Sequence, residues 1–224
     1  GAAAAASEGY KGQDADRGLV GGGVDGDQYL NTTEILPLST RTLTPGPNMR
    51  LARVWCAAVA LDARRILVVG GYNDGSILSS TEILSLDTMA FAPGPTMASR
   101  RYACATIALD EHRIMVVGGC SDSEQAVTTT EVLDVRTMAF APGPSMGSAR
   151  YGCAAVPVDA QHVLVVGGQD SANTALATTE LLDVANMEFA PGPTMPVPYT
   201  HLTLPTIPLS YISYTSATSH KQTP

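Results

Sequence analysis

The chain repeats itself every 48 or 49 residues. TMAFAPGPTM (from Thr88), TMAFAPGPSM (from Thr137) and NMEFAPGPTM (from Asn186) stand forty-nine residues apart, and RTLTPGPNM (from Arg41) is a looser fourth copy. Other landmarks keep step. An arginine stands at Arg53, Arg101 and Arg150, and a Gly-Gly at Gly70-Gly71, Gly118-Gly119 and Gly167-Gly168, with an earlier copy read at Gly21-Gly22. Glutamates follow at Glu34, Glu82, Glu131 and Glu180, then Pro-Gly-Pro from Pro45, Pro93, Pro142 and Pro191. Arginine to first glycine is always 17 residues and glutamate to first proline always 11. Length varies only between Gly-Gly and the glutamate, so that segment is a surface loop on a fixed framework. A period of this size means one supersecondary unit that must stack on its neighbours to bury its apolar faces.

Each unit reads as four short strands. In the unit starting at Arg101, RYACATIAL is rich in small and β-branched residues. RIMVVGG, from Arg113, is apolar without alternation, which predicts a strand buried on both faces. TTEVLDV runs from Thr129, and MAFAPGP from Met138 ends in prolines, which suit the close of an outermost strand. No segment has a convincing helical period. Cys56, Cys104 and Cys153 recur at one equivalent place, too far apart between stacked units for a disulfide. They are expected as small core residues, with Cys120 out of step.

Net charge is −8, which argues against a nucleic-acid partner because that needs a basic footprint. No apolar run reaches membrane-spanning length. The N-terminus has no secretory pattern, so a cytoplasmic location is favoured while the compartment stays open, and the lack of an initiating Met fits a fragment. Oligomeric state cannot be read.

With VVGG, TTEVLD, FAPGPSM and SAR in this order and spacing, the chain resembles the kelch repeat family. The resemblance implies an all-β fold, a kelch-type β-propeller, here partial, with about 3.5 four-stranded antiparallel blades at about 19–47, 53–95, 101–144 and 150–193. Residues 1–18 are read as the remnant of a first strand, with Ala2 to Ala6 as its trace, and 196–224 as a non-repeat tail, disordered or non-native. Leu36, Leu84, Leu133 and Leu182 stand at the family's tyrosine position, and Phe91, Phe140, Phe189 and Leu43 at its tryptophan position.

The resemblance implies a non-catalytic scaffold for a protein or peptide partner. The alternative is part of a propeller oxidase or isomerase whose active-site residues lie elsewhere. No catalytic residue, metal site or cofactor is assigned. Asp25 and Asp27 lack the remaining ligands of a calcium loop, His112 and His162 lie in first-to-second strand turns one residue out of register, and no serine or cysteine sits in a nucleophile elbow. Two uses are open to Arg53, Arg101 and Arg150. The resemblance places them at the propeller mouth, where related domains hold acidic peptides. Alternatively they are framework, since Glu82, Glu131 and Glu180 share an apolar face with Leu84, Leu133 and Leu182 and need a cation or backbone N–H. The loops after Gly-Gly supply the other candidate contacts: Tyr72, Asn73, Asp74, Ser121, Asp122, Gln169 and Asp170. Asp and Asn there also serve simply as turn formers.

Overall fold

In this computed structural model the described residues are 7–10, 17–37, 39–197 and 211–214, with side chains described for 19–37 and 39–197. They form strands and loops with no helix. The second blade comprises Ala57–Asp62, Arg65–Val69, Thr81–Ser85 and Ala90–Pro93. The third comprises Ala105–Ala108, Arg113–Val117, Thr130–Asp134 and Ala139–Pro142. The fourth comprises Ala154–Pro157, His162–Val166, Thr179–Asp183 and Glu188–Pro191. Each is a four-stranded antiparallel sheet in sequence order. The register repeats too: Glu82 faces Pro93, Glu131 faces Pro142 and Glu180 faces Pro191.

The first blade has Arg17–Gly21, Thr33–Pro37 and Thr44–Pro45 in one sheet. Ser7–Tyr10 lies beside Arg17–Gly21 and beside the second blade's first strand. That is the innermost position, so Ser7–Tyr10 takes the place expected for Ala2 to Ala6, which lie outside the described residues. Ser7–Tyr10 also pairs antiparallel with Tyr211–Tyr214. The tail was expected to be loose, yet these four residues of it are a strand. Most of its remainder lies outside the described residues.

Successive blades meet through their first strands, and the core lies between blades rather than within them. In the second blade's second strand, Ile66 and Val68 pack toward the first blade with Leu19, Ile35 and Met49. Leu67 and Val69 pack the other way, with Cys104, Ile114, Val116 and Leu133 of the third blade. Met115 and Val117 repeat this against Val163, Val165 and Leu182 of the fourth. Side chains alternate faces along a strand, so a strand with a neighbour on both sides must be apolar at every position. This is the unalternated VVGG run seen in the sequence.

The repeated Pro-Gly-Pro has a local cause. In every blade the threonine before the glutamate donates its hydroxyl to the carbonyl of the second proline: Thr33 to Pro47, Thr81 to Pro95, Thr130 to Pro144 and Thr179 to Pro193, at 2.6–2.7 Å. The glycine between the prolines donates its N–H back to that threonine's carbonyl. A Cβ on Gly94, Gly143 or Gly192 would sit 2.3 Å from the threonine Oγ1. The glycine is there because the threonine is too close for anything larger.

Gly-Gly joins blades. The first glycine lies against the carbonyl of the next blade's arginine: a Cβ would come within 2.3 Å of Arg101 O at Gly70 and 2.4 Å of Arg150 O at Gly118. The second glycine donates its N–H to the same carbonyl, Gly71 to Arg101 and Gly119 to Arg150, both at 2.9 Å. In the first blade these roles fall to Gly22, blocked at 2.4 Å by Arg53 O, and Gly23, whose N–H reaches Arg53 O at 2.7 Å. The structural pair is therefore Gly22-Gly23, one residue beyond the pair read from the sequence. Gly21 pairs with Thr33 as Val69 pairs with Thr81.

The first strands are shorter than the sequence suggests. Arg101 to Cys104 lie before the third blade's strand because Ala103 turns to φ 50. Trp55 (φ 55) and Gly152 (φ 63) do the same at the equivalent place. These residues link blades: Ala103 N–H donates to Trp55 O and Gly152 N–H to Ala103 O, each at 2.8 Å.

Candidate functional site

Arg53, Arg101 and Arg150 are 0%, 1% and 0% exposed. Each guanidinium turns inward and ends on the glutamate of its own blade: Arg53 on Glu82, Arg101 on Glu131 and Arg150 on Glu180, all at 3.0 Å. Nη1 donates to the first glycine's carbonyl, at 2.8 Å in Arg53 and 2.9 Å in Arg101 and Arg150. It donates as well to Ser80 O, Thr129 O and Thr178 O. The carboxylate also takes two backbone N–H groups from the crossing that enters its blade. Glu131 accepts from Ala98 at 2.7 Å and Ser99 at 3.0 Å, as Glu82 does from Arg50 and Leu51 and Glu180 from Gly147 and Ser148. Both partners foreseen for the buried glutamates, a cation and backbone N–H, are present. Of the two uses open to the three arginines, the structure supports framework and not partner contact. A side chain without solvent exposure, turned onto its own blade's carboxylate and carbonyls, presents no donor at the surface, the unpaired Nε of Arg101 and Arg150 included. Glu34 differs from its three counterparts in being exposed.

Because the strands are antiparallel, the loop from second to third strand and the crossing into the next blade emerge at the same end. Backbone bridges confirm it: Val54 with Tyr72, Tyr102 with Cys120 and Tyr151 with Gln169. The candidate loop residues lie on this face. Tyr72 and Asn73 form a short ribbon with Ser76 and Ile77. Its turn, Asp74-Gly75, has positive φ at both positions (43 and 78), the backbone a two-residue hairpin favours. Asp170 Oδ1 accepts the N–H groups of Ala172 and Thr174, both at 2.9 Å, and Gln169 donates to Asn173 O. Ser121 bonds Ser123 and Gln125 O. These last are turn chemistry. Asp74 and Asp122 are exposed, and Asp122 lies 3.9 Å from Arg100.

What the sequence reading missed is a row of aromatic rings. Tyr29 lies 5.8 Å from Tyr72, centroid to centroid. Tyr72 lies 6.1 Å from Trp55 and, edge-on, 6.1 Å from Tyr102, and Trp55 lies 5.4 Å from Tyr102. Tyr102 continues through the Cys120 thiol, its hydrogen-bond partner, toward Tyr151, whose hydroxyl donates to Asn173 Oδ1. The row crosses four blades. Trp55 is the chain's single tryptophan and is 38% exposed. The sequence did hold a signal: Trp55 stands where the next units have Ala103 and Gly152, a large residue replacing small ones inside the framework.

Three tyrosines of the row have raised pKa values. Burial raises Tyr29, with Tyr72 and Asp74 adding to it. Burial also raises Tyr102, followed by its bond to Cys120 and by Glu124 and Tyr151. Tyr151 is raised by burial, then by Cys120 and Asp170. Among the described residues no cluster of three His, Cys, Asp or Glu side chains could hold a metal ion. All four cysteines are free and buried.

Stacked four-stranded antiparallel sheets joined at their first strands define part of a β-propeller. The family model for the kelch motif matches residues 56–98, which span the second blade and the crossing that follows it. The register, clamps and glycines of this kelch motif recur in the neighbouring blades. A comparison with curated proteins returns no match.

Proposed function

We propose that this chain is a non-catalytic interaction module that holds a protein or peptide partner on the face carrying the post-Gly-Gly loops and the crossings. The supporting observation is Trp55. It holds the left-handed backbone (φ 55) that Ala103 and Gly152 share at the equivalent place, a conformation that costs a non-glycine residue about 1–3 kcal/mol and that the repeat itself imposes. The same position is served by glycine in the fourth blade, so the framework does not demand a large residue there. A half-exposed tryptophan among tyrosines is the composition of an interface anchor.

The test is Trp55→Gly in the whole protein. Relief of the backbone offsets the lost ring contacts, roughly 0.5–1.5 kcal/mol each, so the variant folds. Affinity capture with quantitative mass spectrometry should recover partners with the parent chain that Trp55→Gly loses. Recovery of the same partners in the same amounts would refute the reading.

A further inference from the structure

The mouth face has lost its positive charge to the interior. Arg53, Arg101 and Arg150 are buried and neutralised by Glu82, Glu131 and Glu180. The charged groups left outside on this face are mostly acidic: Asp25, Asp27, Asp74, Asp122, Glu124 and Asp170 on the loops. Against them stand two arginines on the crossings, Arg50 and Arg100, and Arg100 is engaged by Asp122 at 3.9 Å. Among the described residues, six carboxylates against two guanidiniums leave a formal charge of −4 on this face.

The carboxylates and the rings are interleaved. Asp74 sits in the turn of the ribbon that Tyr72 opens, Glu124 lies in the loop that follows Cys120, the bridge partner of Tyr102, and Asp170 follows Gln169, the bridge partner of Tyr151. Aromatic faces attract cations through the ring quadrupole, with tryptophan the strongest and arginine the commonest partner. Flanking carboxylates add a second attraction of the same sign, and a negative face repels acidic segments during encounter. Neither feature favours an anion.

Building on the interaction reading above, we propose that the row Tyr29–Tyr72–Trp55–Tyr102, flanked by Asp74 and Glu124, docks a basic segment of a protein partner, with a lysine or arginine side chain laid against Trp55. The polarity is the reverse of an acidic-peptide site on the same scaffold, and it follows from which way three arginines point.

The chain's single tryptophan lies at the site, so its emission reports occupancy. The probes are two twelve-residue peptides, (Gly-Arg-Ser-Lys)3 and (Gly-Glu-Ser-Glu)3, titrated into the whole protein, with a labelled copy of each followed by anisotropy. The basic peptide should change Trp55 emission saturably and bind at least about tenfold tighter than the acidic one. It should weaken between 0.1 and 0.5 M NaCl, as screening requires. Asp74→Asn combined with Glu124→Gln, substitutions on exposed side chains, should lower its affinity severalfold with the melting temperature unchanged. Trp55→Gly should abolish it in the anisotropy assay. Equal or tighter binding of the acidic peptide would overturn the charge assignment while leaving the interaction reading standing. No response to the basic peptide would overturn the proposal outright, whatever partners affinity capture recovers.

Discussion

Arg101→Ala separates framework from contact surface. Arg101 is 1% exposed and gives hydrogen bonds to Gly118 O (2.9 Å), Thr129 O (3.0 Å), Thr129 Oγ1 (3.3 Å) and Glu131 Oε1 (3.0 Å). Truncation leaves Glu131 as a buried carboxylate held only by the N–H groups of Ala98 and Ser99. Breaking a buried pair from one side costs about 3–5 kcal/mol, and the loss of a donor at Gly118 O does not reduce that, while Thr129 O keeps the N–H of Gly118 at 3.2 Å. A domain with about 5–15 kcal/mol of total stability would lose a large share of it. In urea, where small proteins show slopes of about 1–3 kcal/mol per molar, the unfolding midpoint should fall by more than about 1 M. Glu131→Gln should be nearly as damaging, because its amide NH2 would face the N–H donors or the guanidinium. The double variant should cost less than the sum of the two, since the second change removes an already stranded partner. If Arg101→Ala leaves the midpoint within a few tenths of a molar yet abolishes partner binding, the arginine is a contact residue and the clamp argument fails.

Two glycines with similar backbones should respond differently to alanine. Gly75 (φ +78) has nothing within 4 Å of an added Cβ, whereas at Gly118 (φ +60) the Cβ meets Arg150 O at 2.4 Å. Gly75→Ala should cost roughly 1 kcal/mol of backbone strain and Gly118→Ala at least about twice that, read from urea midpoints; equal losses would mean the blade junction can open freely. Alkaline pH should expose the core thiols. Burial pushes Cys56 and Cys153 up to about 11 and Cys104 up to about 12. Below about pH 9 these thiols are neutral in both states and their contribution is complete; as pH rises toward 11–12 the unfolded chain ionises first and stability drains away. Urea midpoints from pH 7 to pH 10.5 should fall less steeply in a Cys56→Ala, Cys104→Ala, Cys153→Ala variant, and an unchanged slope would contradict the assignment.

Much of the architecture was legible because repetition removes ambiguity. An apolar run such as RIMVVGG is hard to place once; in step with three others it can only be a strand between neighbours. The need of Glu131 for a buried partner followed from its spacing to Leu133. The direction of the Arg101 side chain did not follow, because a constant interval of 17 residues to the glycine suits an arginine pointing in or out equally well. Three consecutive glycines at 21–23 hid the register of the first blade, since only the packing against Arg53 O distinguishes them. The aromatic row escaped because its members come from different blades and different positions in the unit. No single repeat contains it.

The hydrogen bonds that tie blade to blade carry a further consequence. The amides of Gly23, Gly71, Gly119, Ala103 and Gly152 each end on a carbonyl of an adjoining blade or its crossing, whereas the ladder amides of Val68 or Val116 end within their own sheet. Solvent deuterium reaches the first set when two blades part, and the second only when a blade itself melts. The ratio of the two exchange rates in one protein is therefore a clock for its failure: it tells whether the propeller comes apart as intact leaves or dissolves strand by strand.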